Sequence, residues 1–470
     1  MTDARNRQRH FGDPFIAEAI GDLQEPWMLH VDRLLDDETL VGTVHRALQG
    51  RRRHSAHRGR TGTPADVVLR LLVLKHLRNW SYAVLEREVR TNLVYRTFTR
   101  VGGGKVPDAK TIGRWGPVVS PAFVTQLHAR LVTIARDAGI IEGRRMRVDT
   151  TVTETDIHYP TDSSLLGDSV RVLTRTMQQV TTIAGTVGTI LRDRSRSVKR
   201  RLIEIGRIVR AKGLRKQRLT RAYQRLFDVT SRVVGQAKRF AHEIRSGVKR
   251  TPNVTKQLAL DGLRQQLETF VPRAQQVLRQ ARARILRGNT HVKGKLLSVF
   301  EPTTEVIRKG KAGKPNEFGK VVKLQEAEQQ IIIHYEVYDQ RPNDVDLLLP
   351  AIDVHTEVFG HVPRLVAADA AFYSGRNEDA AHTKGVRRVC IPNRSTTSAE
   401  RKREQKKRWF KNGQRWRTGS EGRISVIKRR HGLRRSRYKG DAGLKRWVGL
   451  GVIADNLINI GRVLATQSKA

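Results

Sequence analysis

Three carboxylates stand in surroundings where acidic residues are uncommon. Asp149 lies inside the strand-like segment RMRVDTTVTET, Asp369 ends the apolar run LVAAD, and Glu421 lies in a strongly basic stretch. Burying an acid next to an apolar strand is costly unless a metal ion or a partner compensates. Phosphodiester cleavage commonly uses two Mg²⁺ ions about 3.5–4 Å apart, held by a few carboxylates from different elements. The three acids together predict such a site, whereas any one alone could simply cap a turn.

Net charge points to the kind of partner. The 470 residues include 90 Lys and Arg against 45 Asp and Glu, a formal net charge of +45. Residues 191–300 hold 29 basic and 6 acidic residues, and residues 386–440 hold 20 and 3. Both regions contain periodic apolar residues, so we expect the charge to lie on folded faces. This balance predicts a polyanion as partner, because cations set against phosphates release condensed counterions.

Several classes of protein are excluded by simple inspection. No window of 18 consecutive apolar residues occurs, and the first residues lack the apolar core of a signal peptide, so we expect an intracellular protein without a membrane span. Cys390 is the only cysteine, which excludes an intramolecular disulfide and a cysteine-based zinc cluster. GGGK at 102–105 lacks the first glycine and the final Ser or Thr of a nucleotide-binding loop and is interpreted as a turn.

The elements that position the acids follow from hydrophobic periodicity. Residues 145–155 alternate with period two, which predicts a strand with Asp149 on the face opposite Met146 and Val148. The later acids follow a second series of elements. These are a hairpin over 318–339, a helix over 343–358, a strand over 363–370, a helix over 374–384, a strand over 386–392 and an apolar helix over 443–465.

Two other regions have a helical period. Residues 168–290 predict two long basic helices, broken near Pro252 and packed as an antiparallel pair, which would form a DNA-gripping or dimerising arm or an insertion with solvated basic faces. Residues 63–140 predict several short helices. With Arg87 and Arg90 they suit a helix-turn-helix-like DNA reader, and the alternative is a helical bundle with solvated arginines.

The order of these elements predicts the fold class. A strand, an insertion, two strands, a helix, a strand, a helix, a strand and a helix describe an α/β protein with a ribonuclease H-like mixed-sheet core, interrupted after its first strand by a long helical insertion and preceded by an all-α domain. The predicted domains are a helical DNA-binding domain at 1–140, the first part of the catalytic core at 141–166, the basic insertion at 167–295 and the rest of the core with its C-terminal helix at 296–470.

The segment around the third acid allows two interpretations. A single helix over 417–428 would place the acid and two flanking cations on one face. Gly419 and Gly422 weaken a helix, so Ser420 could instead be the N-cap of a helix over roughly 420–431. In either case the cations would hold phosphates, unless they are an ordinary solvated pair.

The acids also stand in recognisable motifs. The first lies in RVDTTVTETDIHYPTDSSLL, the second in LVAADAAFYS and the third in RTGSEGRISVIK, where Arg417, Glu421 and Lys428 have R-(3)-E-(6)-K spacing. The segments TPADVVLRLLVLKHLRNWSYAVLEREV and VPDAKTIGRW precede them. With these motifs in this order, nearly the whole chain resembles bacterial insertion-sequence transposases of the DDE superfamily, in the IS4/IS5-like (ISNCY-like) group.

The resemblance implies a mechanism and its residues. Asp149, Asp369 and Glu421 would be the catalytic carboxylates and would coordinate two Mg²⁺ ions, with Mn²⁺ as a substitute. Gln414 stands where the tyrosine of the family signature is expected, so hairpin chemistry stays open. The predicted DNA-binding residues are Arg417, Lys428 and Trp416 near the third acid and Arg87 and Arg90 in the N-terminal helices.

The implied activity is metal-dependent cleavage at the ends of an insertion sequence and joining of a 3′-hydroxyl to target DNA. Its partners would be double-stranded DNA, as transposon ends and as target, and a second copy of the chain in a synaptic homodimer, in the bacterial cytoplasm at the nucleoid. A non-catalytic DNA-binding protein and a ribonuclease H-like nuclease derived from a transposase are the alternatives. Inverted-repeat sequence, target preference, the cut-and-paste or copy pathway and mobility of the element do not follow from the residues.

Overall fold

A computed structural model describes residues 3–8, 10–20, 23–50, 62–211, 216–308 and 316–468. It divides into two compact units. The first contains Met1–Asp156 and Glu305–Ala470, and the second contains Ile157–Thr304. The first unit is a mixed α/β structure and the second is helical. The predicted insertion, 167–295, lies within the second unit.

The first unit begins with eight described helices. They are α1 (Asp13–Ile20), α2 (Pro26–Leu34), α3 (Glu38–Gln49), α4 (Ala65–Leu77), α5 (Tyr82–Thr91), α6 (Leu93–Phe98), α7 (Ala109–Trp115) and α8 (Pro121–Asp137). Side chains of Ser81, Asn92, Asp108 and Ser120 accept hydrogen bonds from backbone N–H groups at the starts of α5, α6, α7 and α8, which explains where these helices begin.

A six-stranded sheet forms the rest of the first unit together with further helices. Its elements are β1 (Arg145–Glu154), β2 (Glu305–Arg308), β3 (Asn316–Glu326), β4 (Ile332–Val337), β5 (Leu365–Ala367) and β6 (Arg388–Cys390). The strand order is β2-β3-β1-β5-β6, and β4 also pairs with β3. The pairs around β3 are antiparallel, whereas β1, β5 and β6 run parallel, so the sheet is mixed.

The second unit consists of four described helices, α9 (Asp162–Ala184), α10 (Ser195–Arg210), α11 (Lys216–Arg245) and α12 (Val254–Arg287). Contacts between Arg245 and Glu268 and between Arg282 and Ser231 show that α11 and α12 run antiparallel, as the sequence predicts. Buried apolar residues from all four helices form one core, which leaves the many arginines at its surface.

Helices cover both faces of the sheet. The first unit continues with α13 (Leu348–Phe359), α14 (Gly375–Thr383), α15 (Ala399–Lys406), α16 (Arg408–Arg430) and α17 (Asp441–Gln467). Met146 and Val148 pack with α13 on one face. Val322 and Leu324 of β3 pack with α16 and α17 on the other. Because side chains alternate along a strand, Asp149 lies on the face of α16, opposite Met146 and Val148, as predicted.

The last helix, α17, joins two parts of the first unit. Leu450, Ile453 and Leu457 of α17 belong to the same buried cluster as the apolar side chains of α2 to α8. Among the described helices, α17 is the one long and apolar enough to cross a membrane, and most of that apolar stretch is buried inside the protein. Such burial is typical of a core helix.

The structure corrects one helix prediction. The expected start near residue 420, with Ser420 as N-cap, is wrong, because α16 is continuous from Arg408 to Arg430 through Gly419 and Gly422. The predicted hairpin is confirmed, and β3 and β4 are joined by a tight turn in which Gln329 and Gln330 both have positive φ.

Candidate functional site

Asp149 lies in the middle of the sheet, near the end of the segment of β1 that pairs with β5. Its Oδ1 accepts a hydrogen bond from the Thr150 N–H at 2.8 Å, and its Oδ2 accepts one from the Ser420 hydroxyl at 3.0 Å. Ser420 is only 3 % exposed, so this contact ties α16 to β1 in a water-poor environment. This role of Ser420 could not be predicted from the sequence, since the contact depends on packing between residues 271 positions apart.

Asp369 lies two residues beyond the end of β5, the strand that pairs with β1. The parallel register pairs Arg147 with Ala367, and extending it by two residues sets Asp149 beside Asp369 on the same face. Asp369 Oδ1 accepts a hydrogen bond from the Ala370 N–H at 2.5 Å, so it also caps the turn after β5. The parallel pair of β1 and β5 thus carries two carboxylates, Asp149 within β1 and Asp369 just after β5.

Asp369 lies close enough for its charge to act on Asp149. Burial raises the pKa of Asp149 above its usual range, and the negative charge of Asp369 raises this pKa further. The Ser420 hydroxyl, the Thr150 N–H and the Arg417 guanidinium partly oppose this shift. A divalent cation bound by the two aspartates would offset both causes of the raised pKa. It would replace the water lost on burial and neutralise the repulsion between the two carboxylates.

Close packing holds α16 against the sheet. A Cβ atom on Gly413 would lie 2.6 Å from Cys390 Sγ of β6, and one on Gly419 would lie 2.4 Å from Arg147 Nη1 of β1. Any larger side chain at either position would push the helix away, so these glycines permit the approach that the Ser420–Asp149 contact requires. Of the two glycines that argued against a helix, Gly419 is therefore explained by packing.

A buried ion pair lies beside the acids. Arg147 and Glu326, on β1 and β3, are both almost completely buried and form a salt bridge. The Arg147 guanidinium also donates to the Trp416 carbonyl at 2.6 Å and lies 5.0 Å from the Trp416 ring centre. Burial raises the pKa of Glu326 to about 7 even though Arg147 opposes this. The alternation in 145–155 predicts Arg147 on the face of Asp149, but it does not predict the pairing of Arg147 with Glu326.

Glu421 lies at the margin of this arrangement. It follows Ser420 in α16, but its side chain is 61 % exposed. Its Oε1 lies 3.0 Å from Nη2 of Arg417, whose side chain is 12 % exposed. Lys428 lies two turns further along α16 and is half-buried. Within the described ranges, no group of three or more His, Cys, Asp or Glu side chains could hold a metal ion. The structure therefore brings Asp149 and Asp369 together and leaves Glu421 on an adjacent face of α16.

Gln414 and Trp416, two other residues of α16 named in the sequence predictions, contact the sheet. Gln414, at the position of the signature tyrosine, is half-buried and donates from Nε2 to the Cys390 carbonyl at 2.7 Å, so it packs against β6. Trp416 is half-buried, with the Arg145 guanidinium 5.1 Å from its ring centre. Both side chains contribute to the packing between α16 and the sheet.

The predicted N-terminal DNA contacts lie on α5. Arg87 is 68 % exposed and pairs with Glu88, and Arg90 pairs with Glu86, which also accepts from the Ala109 N–H at the start of α7. Four residues, 78–81, join α4 to α5, a length typical of a helix-turn-helix. DNA binding by these arginines stays a prediction.

Comparison with known proteins gives matches at both ends of the chain. A family of transposase domains, DUF772, matches residues 28–116, and a family of transposase DDE domains matches residues 377–461. The first match includes Arg87 and Arg90, and the second includes Arg417, Glu421 and Lys428. No curated protein and no solved structure matches the chain. The IS4/IS5-like subgroup stays a prediction. Both matches are to transposase domains, and together they support the identification of the chain as an insertion-sequence transposase of the DDE superfamily.

Proposed function

We propose that this transposase binds the terminal inverted repeats of its own insertion sequence, cleaves DNA at the ends of the element and joins the resulting 3′-hydroxyl to target DNA. The observation that carries the proposal is the pair Asp149, in β1, and Asp369, just after the adjacent parallel strand β5, with Asp149 bonded to a helix in the segment that matches transposase DDE domains. The net charge of +45 supports DNA as the substrate.

The catalytic core is proposed to be ribonuclease H-like. Strands β1, β3 and β4 form antiparallel pairs, and β5 and β6, later in the chain, run parallel to β1. Helices cover both faces of this sheet. This arrangement supports the proposed fold, in which the second unit interrupts the core after its first strand. The helical N-terminal region is proposed as the part that reads the ends of the element, through α5.

The carboxylates fit a hard divalent cation. Asp149 and Asp369 offer only oxygen ligands, and both burial and the neighbouring charge of Asp369 raise the pKa of Asp149 and so disfavour its charged form without a cation. We propose that these two residues and Glu421 hold two Mg²⁺ ions, with Mn²⁺ as a substitute. When bound, such ions activate an attacking oxygen and stabilise a leaving oxygen. Glu421 would take part once its pairing with Arg417 is exchanged for a phosphate contact by the guanidinium.

The chain's own side chains would prepare the reaction. Ser420 orients the Asp149 carboxylate through its hydroxyl, and the Ala370 N–H orients Asp369. Arg417 and Lys428 supply positive charge along α16 for the DNA phosphates. For cleavage the attacking group is water, and for joining it is the 3′-hydroxyl at the cut end. Neither step forms a bond between the protein and DNA.

Substitution of one aspartate tests the proposal. Asp369→Asn preserves the cap on the Ala370 N–H but removes a negative charge, so we expect Mg²⁺-dependent cleavage of end-containing DNA to be lost while DNA binding is retained. Asp379→Asn, on an exposed position of α14, is the matched control and should cleave normally. If Asp369→Asn cleaves like the control, the assignment of the acids is wrong.

The same assay separates the alternatives. A non-catalytic DNA-binding protein would show no Mg²⁺-dependent cleavage in the unaltered chain. A nuclease without transfer activity would cleave but would not join a pre-cut 3′-hydroxyl end to a plasmid. Because both ends of an element must be held together, we also propose that the active form is a homodimer, acting in the cytoplasm at the nucleoid.

A further inference from the structure

A second strongly basic feature lies at the opposite end of the parallel strands from Asp149 and Asp369. It is a cavity of about 650 Å³ at the amino ends of β1, β5 and β6. We call it the arginine groove. Its basic lining residues are Arg144, Arg145, Arg364, Arg387 and Arg388.

Most of this positive charge is available to a ligand. All five arginines are exposed, and the groove contains two acids, Glu142 and Glu328. Glu142 pairs with Arg144, and the Glu328 carboxylate accepts hydrogen bonds from the backbone N–H groups of Gly143 and Arg145. Among the described residues, the other four arginines form no ion pair with a carboxylate. A groove with this balance suits a polyanion.

Aromatic rings hold two of the guanidiniums in place. A neighbouring cavity of about 450 Å³ shares Arg145 and Arg388 with the groove and adds Arg408 with two tryptophans of α16. The Arg388 guanidinium lies 5.4 Å from the Trp409 ring centre, and that of Arg145 lies 5.1 Å from the Trp416 ring centre. Such cation–π contacts reduce the entropy that each arginine would lose on binding a phosphate.

The arginine groove lies a short distance along β1 from the acids. Arg145 and Asp149 are four residues apart on β1, or about 13 Å at 3.3 Å per residue. At 3.4 Å per base pair this spans about four base pairs of duplex DNA. A duplex with a phosphate at the acids is thus long enough for its continuing backbone to reach the groove.

We propose that the arginine groove binds the sugar–phosphate backbone of target DNA on one side of the phosphate that is attacked. This inference rests on the proposed function, because it assumes that joining occurs at the acids. The guanidiniums extend from the amino edge of a sheet rather than from a helix that could enter a major groove, so they meet phosphates and not base edges. Contacts with phosphates do not depend on base sequence, so they suit a target DNA whose sequence differs from one transposition event to the next.

A double substitution in the full-length protein tests the groove. Arg364→Gln with Arg387→Gln removes two groove charges, and Arg33→Gln with Arg462→Gln removes two exposed arginines elsewhere in the first unit. The probe is a random-sequence duplex without inverted repeats. We expect the groove pair to weaken its binding by about tenfold. We also expect the slope of log affinity against log salt to fall by about 0.9 per lost phosphate contact, with neither change in the control pair.

A second assay on the same variants distinguishes contacts with target DNA from contacts with the element's own DNA. With a pre-cut end supplied, joining to a plasmid should fall about tenfold in the groove pair, and by a larger factor than cleavage of an uncut end. Equal losses in joining and cleavage would assign the groove to the element's own DNA and overturn the proposal. Equal duplex binding by the groove and control pairs, with equal thermal midpoints, would also overturn it.

Failure of the proposed function gives a different pattern. In that case the unaltered protein neither cleaves nor joins DNA. A binding difference between the groove and control pairs would then support the groove as a site for duplex backbone, and the absence of such a difference would refute it.

Discussion

Gly419 and Gly422 lie three residues apart in α16 and form a matched pair for testing how closely this helix packs on the sheet. In an ordinary exposed helix, changing Gly to Ala stabilises the fold by about 1 kcal/mol. At Gly422 no atom lies within 4 Å of the added Cβ, so Gly422→Ala should show this gain. At Gly419 the added Cβ would lie 2.4 Å from Arg147 Nη1.

The Arg147 guanidinium has no easy way to move aside. It is paired with buried Glu326, donates to the Trp416 carbonyl and packs against the Trp416 ring. Separating a buried ion pair costs about 3–5 kcal/mol, and overpacking that shifts the helix instead costs about 1–3 kcal/mol. Even the less costly of these two responses, the shift of the helix, offsets the gain in helix propensity. We expect Gly419→Ala to be less stable than Gly422→Ala by about 1–3 kcal/mol, the cost of overpacking, because the gain in helix propensity is common to both variants.

Thermal unfolding and DNA cleavage together check this prediction. The unfolding midpoint of Gly422→Ala should rise slightly, and that of Gly419→Ala should fall by a few degrees. Cleavage should fall in Gly419→Ala even well below its midpoint, because a displaced α16 moves Ser420 away from Asp149. Equal midpoints and equal cleavage for the two variants would refute the reasoning that α16 requires glycine at 419.

Three further predictions concern separate parts of the first unit. Ser420→Ala removes the hydroxyl bonded to Asp149, so the pKa of Asp149 should rise further, and half-maximal cleavage should need about 10- to 100-fold more Mg²⁺; an unchanged requirement would contradict the positioning role. Burial lowers the pKa of Lys75 to about 7, so the unfolded chain binds more protons between pH 7 and 10.5, and stability should rise with pH in that window in a way that Lys75→Met abolishes. Gln329→Gly should raise stability by about 0.5–1 kcal/mol in denaturant unfolding, because Gln329 has φ +54° in the hairpin turn.

Much of the architecture around the acids could be predicted from periodicity. The alternation in 145–155 placed Asp149 on the correct face, and the β-branched runs predicted the hairpin of β3 and β4. These patterns are local, because burial of one strand face or one helix stripe constrains residues two to four positions apart. The proximity of Asp149 to Asp369 needed one more assumption, that both strands run parallel and adjacent, which the register confirms.

The bounds of α16 could not be predicted, because the relevant interactions are not local. Gly419 weakens an isolated helix, and the sequence contains no sign that Arg147, 272 positions earlier, occupies the space of its missing side chain. The same holds for Ser420, a good N-cap residue whose hydroxyl instead reaches Asp149. In both cases a tertiary contact outweighs the intrinsic preference that the prediction used.

One helix links the acids to the arginine groove. Its first half carries Arg408, Trp409 and Trp416, which line the cavity next to the groove, and four residues after Trp416 the Ser420 hydroxyl contacts Asp149. Arg147 donates to the Trp416 carbonyl from the same strand that carries Asp149, so α16 cannot slide along β1 without losing this bond. A fixed helix keeps Trp409 and Trp416, which contact the groove residues Arg388 and Arg145, at a set position relative to the acids. Gly419→Ala should therefore lower joining to target DNA at least as much as cleavage, because it displaces both the acid contacts and the tryptophans of α16 that hold these two arginines. A loss confined to cleavage would show that the two sites respond independently.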